Sequence, residues 1–155
     1  MSNSALSSRV AMKLLYVLAS LAAAAHAQFT ISAPTPGSTL VAGQDVTVQI
    51  VVPIDTSAEA GDVDVSLVIG IVGCGASACP TPSADLGELQ VIGKYQGQGV
   101  VPNTLSTFEN FTFPVPSDIS GAASIQVLRL DLTTIPGHTN PHVEYESVQV
   151  QVNAA

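Results

Sequence analysis

The chain has 155 residues, with four Lys and Arg against twelve Asp and Glu and a formal net charge of −8 at pH 7. Such acidity repels polyanions, so nucleic acid and anionic membrane surfaces are demoted as partners. Hydrophobic residues make up 46% of the chain and Trp is absent; the first fits a folded domain, and the second argues against the stacking platforms typical of a carbohydrate-binding module, although Tyr95, Tyr145 and four Phe remain.

The first element is a targeting segment. Lys13 supplies a charged start, Leu14–Ala25 an apolar core, and Ala25-His26-Ala27 a small-residue cleavage tripeptide. This pattern predicts a cleaved secretory signal peptide over residues 1–27. Met12 is an alternative start, because the eleven residues before it add nothing to the signal. The apolar run falls short of the about 20 residues that a bilayer span needs. At the other end Asn153-Ala154-Ala155 follows a strand directly, without the polar spacer and hydrophobic tail of a GPI anchor. The expectation is a secreted, extracellular product with no membrane anchor.

Residues 28–155 then form one domain. Only Lys94 and Arg129 remain there against all twelve acidic residues, a net of −10, which favours a soluble monomer. Short Val- and Ile-rich alternations separated by Pro, Gly, Ser and Asp clusters predict an all-β fold, an immunoglobulin-like antiparallel β-sandwich of about seven strands.

In chain order, Phe29–Ala33 is the first predicted strand, closed by the turn Pro34-Thr35-Pro36-Gly37. Asp45–Val52 follows, with Val46, Val48, Ile50 and Val52 on one face. Asp62–Val72 alternates most cleanly, placing Val63, Val65, Leu67, Ile69 and Ile71 together. Leu86–Tyr95 is interrupted by Gly87 and Gly93, which marks an edge or bulged strand. Thr107–Val115 points Phe111, Phe113 and Val115 inward. Ala123–Thr133 is apolar on both faces, as in a central strand or one with a phase shift. His142–Val152 changes phase between Val143/Tyr145 and Val148/Val150/Val152, which predicts a β-bulge near Glu146–Ser147.

Cys74 and Cys79 are the only cysteines. Their spacing suits neither a redox dithiol nor a zinc site, so a disulfide stapling the loop after the third strand is expected. Asn110-Phe111-Thr112 is the sole glycosylation sequon, with Asn110 on the solvent phase of its strand. His138, Asn140 and His142 lie on the polar segment Thr134–His142, the candidate binding loop. The paired carboxylates Asp62/Asp64 and Glu144/Glu146 project from common strand faces and read as solvated charges. No nucleophile elbow or phosphate loop is present, so no catalytic residue and no cofactor are expected.

One alternative involves metal. A signal cut after Ala25 would leave His26 at the new terminus, where amine and imidazole can chelate copper, with His138 or His142 as a further ligand. That arrangement resembles the copper-dependent polysaccharide oxygenases, although their further cysteines and axial Tyr or Phe pattern have no match here.

The segment Phe29-Thr-Ile-Ser-Ala-Pro-Thr-Pro-Gly-Ser, with Ala42-Gly43-Gln44-Asp45-Val46-Thr47-Val48, resembles the immunoglobulin-like N-terminal domain of fungal cell-wall proteins. These are the Ser/Thr-rich GPI-anchored and β-glucan-synthesis-associated proteins. Phe111-Thr-Phe-Pro-Val-Pro-Ser and Gly121-Ala-Ala-Ser-Ile look like small secreted proteins of mushroom-forming fungi. The chain departs from the wall family where Val51-Val52-Pro53 replaces the usual Trp, and in lacking the Ser/Thr-rich tail. The resemblance implies a non-catalytic extracellular or cell-wall-associated protein. Wall polysaccharide or an extracellular protein is its expected partner, and a host-interacting effector is a further alternative.

Overall fold

A computed structural model describes residues 29–54, 61–75, 77–135 and 138–155, excepting the side chains of residues 61, 62, 134 and 135. The expected signal peptide, Met12 and His26 lie outside the described residues. Nine strands and no helix occur among those described: β1 (Thr30–Ala33), β2 (Thr39–Val41), β3 (Asp45–Pro53), β4 (Gly61–Gly73), β5 (Glu88–Gly93), β6 (Gly99–Val100), β7 (Ser106–Pro114), β8 (Gly121–Ile135) and β9 (His138–Asn153).

They form two sheets, ordered β1-β3-β7-β6 and β2-β9-β8-β4-β5. This is the immunoglobulin arrangement, with the first strand divided between the layers. The division falls at the proline-rich turn. There Ser38 donates its amide to Thr35, and Gly37 takes φ 79°, a left-handed conformation open to glycine at no steric cost. β2 then joins the second sheet, pairing parallel with the end of β9.

The seven strands expected from alternation are all present. β2 and β6, three and two residues long, are too short to carry a period. β5 is an edge strand and β8 the centre of its sheet, so the apolar character of β8 on both faces has its reason in position.

The core lies between the layers. Val46, Val48, Ile50 and Val52 of β3 face Leu67, Ile69, Ile71, Ile125, Val127, Val148, Val150 and Val152. Burying each such side chain contributes about 1.5–3 kcal/mol, so the alternation read in the sequence is the principal stabilising device.

Two expectations need correction. The β8–β9 ladder runs unbroken from Gly121↔Val152 to Ile135↔His138, so no bulge interrupts Glu146–Ser147. The shift lies instead in β4, between Asp64 and Ser66. That one-residue irregularity reverses the phase of the strand's first half. Asp64 turns toward the interior, while Val63 and Val65 stand outside, 50% and 41% exposed.

Candidate functional site

The end of the sandwich beside the β8–β9 hairpin carries charge where the core would otherwise continue. Along β8 the inward phase runs Ala123, Ile125, Val127, Arg129, Asp131, all buried. Along β9 it runs Val152, Val150, Val148, Glu146, Glu144. Strand register sets Arg129 opposite Glu144 and Asp131 opposite His142, and the β4 irregularity adds Asp64 from the other side.

Arg129 is the hub. Its Nε donates to Asp64 Oδ1 at 2.6 Å and its Nη1 to Glu144 Oε2 at 2.9 Å. Burial by itself would lower the guanidinium's pKa. The hydrogen bond and charge of Asp64, the hydrogen bond to Glu144 and the charge of Asp131 outweigh it, and the pKa moves upward. Arg129 is therefore a permanent cation inside the protein. Three carboxylates share that one cation, an excess of two negative charges.

His142 stands at the mouth with its side chain 46% exposed, its Nδ1 at 3.4 Å from Asp131 Oδ1 and 3.8 Å from Glu144 Oε1. Asp131 Oδ1 is sealed from solvent and accepts no hydrogen bond. Asp131, His142 and Glu144 each offer one ligand atom, and these atoms lie within 4.8 Å of one another. Behind the cluster, the Tyr95 hydroxyl donates to Thr107 Oγ1 at 2.9 Å. Glu109 Oε2 accepts the amides of Gln96 and Gly97.

The structure places the sequence-derived residues as follows. The expected loop carrying His138, Asn140 and His142 is strand: these residues pair with Ile135, Thr133 and Asp131 at the tip of the hairpin. Pairing extends this far because Leu132 and its neighbours continue the alternation of β8. His138 and His142 stand four positions apart on β9, about 13 Å along the strand, and the cluster of possible ligand atoms among the described residues includes His142 and not His138. Of the residues of the copper alternative, His26 lies outside the described residues, and His138 and His142 stand on the same strand. Glu144, expected as a solvated charge, is 5% exposed.

Asn110 is exposed on β7, accepting from Gln49 Nε2. Cys74 and Cys79 form the disulfide, Cα to Cα 4.6 Å. Arg129 and Asp131 were not foreseen, and Asp64, expected like Glu144 as a solvated charge, is paired with Arg129. The available signal was Arg129, one of two basic residues after residue 27, standing in phase with Ile125 and Val127.

The outer face of the five-stranded sheet divides in two. Over one half lies the segment after β4, tied by the disulfide. Gln126 is fully buried there and donates to the Pro80 carbonyl at 3.0 Å, and Gly70, paired with Gln126, lies against the backbone of Leu86. The half toward the hairpin tip carries no such cover among the described residues. Ile92, Val63, Val143, Tyr145 and Val65 are exposed by 73, 50, 43, 42 and 41%, flanking half-buried Leu128, Leu130 and Leu132.

No family model matches the chain, and no curated protein matches it. Two similar solved structures are an endo-beta-1,4-mannanase from Thermotoga petrophila and the cellulose-active LPMO CelS2 in complex with copper. The mannanase is 11% identical, with 84% of this chain and 20% of that chain covered at a TM-score of 0.44. The LPMO is 18% identical, with 77% and 55% covered at a TM-score of 0.46. The chain thus spans about a fifth of the first and about half of the second. Among the described residues, no helix is long and apolar enough to cross a membrane.

Proposed function

We propose that this protein is an exported, non-catalytic binding module that works outside the cell, in association with the wall. Its recognition surface is the bare half of the five-stranded sheet. The observation that carries the reading is the apolar outer face around Val143 and Tyr145, where folding leaves several large side chains in water. A contiguous apolar patch of this kind marks an interaction site. Export is supported by the signal pattern of residues 1–27 and by the Cys74–Cys79 disulfide, which persists in oxidising compartments.

The chemistry favours a protein partner. Sugar rings dock on aromatic platforms, and Tyr145 is the single aromatic of this face among the described residues; aliphatic side chains suit the apolar strip of another protein. With only Lys94 and Arg129 against twelve acidic residues after residue 27, the module is steered toward a partner whose apolar strip is framed by basic side chains. The wall resemblance supports a proteinaceous wall component as that partner.

The test is retention of the purified protein on intact walls of the producing organism and on walls stripped of protein by protease, with insoluble β-glucan and chitin in parallel. Retention on intact walls alone, lost in the Val143→Ser/Tyr145→Ser variant, is the expected result. Equal retention on stripped walls or pure polysaccharide would replace the protein partner with a glycan. No retention above an unrelated acidic protein would overturn the reading.

A further inference from the structure

We infer that Asp131, His142 and Glu144 form a binding site for one divalent transition-metal ion of the zinc class. The three belong to one face of one ladder: Asp131 and His142 are direct partners, and Glu144 is the next inward residue of β9. A tetrahedral zinc centre with bonds of about 2.0–2.2 Å has ligand–ligand edges of about 3.3–3.6 Å. The His142–Asp131 separation of 3.4 Å already equals such an edge, and the His142–Glu144 separation of 3.8 Å exceeds it slightly.

A second observation points independently to a cation. Asp131 is 3% exposed, and its Oδ1 takes no hydrogen bond in the protein. A buried carboxylate oxygen in that condition carries a desolvation cost that a metal bond would remove. The charge balance agrees, since Arg129 answers only part of the anionic excess. Arg129 also occupies Glu144 Oε2, which leaves Oε1 directed toward His142 and fixes the carboxylate as a supporting hydrogen bond does in metal sites.

The donor set selects the metal. One imidazole with two carboxylates suits zinc or a neighbouring transition ion, whereas calcium and magnesium take all-oxygen sets. Three protein ligands leave a fourth position, which the exposed side of His142 opens to water or to a group on a partner. The site lies on the inner face of the strands whose outer face carries Val143 and Tyr145, so it stands independently of the binding role proposed above.

Calorimetric titration of the purified, chelator-treated full chain with zinc chloride tests this, with calcium and magnesium chloride in parallel. One equivalent of zinc should bind and raise the melting temperature, with neither hard cation doing so. His142→Ala, altering an exposed side chain, should weaken zinc at least tenfold while leaving the circular-dichroism spectrum unchanged. Asp131→Asn should do likewise, and His142→Ala keeps the test decisive if Asp131→Asn fails to fold. His138→Ala should bind as the wild type does. Zinc binding unchanged in His142→Ala, equal loss in His138→Ala, or no binding by the wild type would each overturn the inference.

Discussion

Arg129 and Glu144 face each other across the β8–β9 ladder and meet at 2.9 Å, with only 5% and 3% of their side chains open to solvent. Removing one partner of such a buried pair strands the other charge in a low-dielectric site. Arg129→Met leaves Asp64 and Glu144 unanswered and is expected to cost about 3–5 kcal/mol. Adding Asp64→Asn and Glu144→Gln to Arg129→Met should recover part of that loss. Urea midpoints in the presence of a chelator measure both; a single variant within 1 kcal/mol of wild type, on the order of surface-pair effects, would contradict the geometry.

Tyr95 sets an alkaline limit on stability. Burial raises its pKa above the ordinary 10.0, and the charges of Glu109 and Asp64 add to the rise, against opposing hydrogen bonds to Thr107 and the Val52 backbone. The folded state therefore keeps its proton where the unfolded chain has released it. The resulting contribution is whole below the ordinary tyrosine value and is lost as pH climbs from there through the folded value. Tyr95→Phe should flatten the fall in urea midpoint between about pH 9 and 11; a fall as steep as that of the wild type would contradict it.

How much of this was legible beforehand depended on whether the signal was local. Val46, Val48, Ile50 and Val52 declare β3 because a two-residue period is written in consecutive letters. Cys74 and Cys79 declare their bond because nothing else could pair with either. The charged end was hidden for the opposite reason. Glu144 reads as surface until Arg129 is known to stand opposite, and that pairing exists only once two distant segments share a register. The misplaced bulge has the same origin. Val143 and Tyr145 looked inward because they are apolar, so the phase break was assigned to β9, when the real irregularity beside Val65 turns β4.

The cover over Gly70 makes that position intolerant of any side chain. An added Cβ would collide with the backbone of Leu86, which cannot rotate away as a side-chain tip can. Gly70→Ala should lower stability by about 3 kcal/mol or more, through displacement of the 74–87 segment or distortion of β4. Hydrogen exchange at the Cys74 amide, which bonds to Ala122, would report the displacement; a wild-type melting curve would refute it.

The disulfide closes a short loop, its two ends five positions apart in sequence. Cys74→Ser/Cys79→Ser should therefore cost about 2 kcal/mol rather than abolish folding. A thermal scan with and without reductant checks this. The wild type should fall on reduction to the level of the double variant, and the variant should not respond.

Asn110 presents an exposed amide on β7 with Thr112 two residues on. If the chain is exported as proposed, material from the medium should lose mass on enzymatic deglycosylation, and Asn110→Gln should abolish that loss. The substitution should shift stability by no more than about 0.5 kcal/mol, as at other surface positions.

The short parallel pairing of β2 with Thr39–Val41 against Gln151–Asn153 has a consequence for self-association. It closes the terminal stretch of β9, so no foreign strand can dock there by backbone bonding. Toward the hairpin tip β9 has β8 alone as its neighbour among the described residues. There Pro141 interrupts the row of amides that a copying strand would require. The β9 edge of the sheet is thus stoppered at one end and lacks a donor at the other, a defence of that edge against fibrous stacking that leaves the broad face free for recognition.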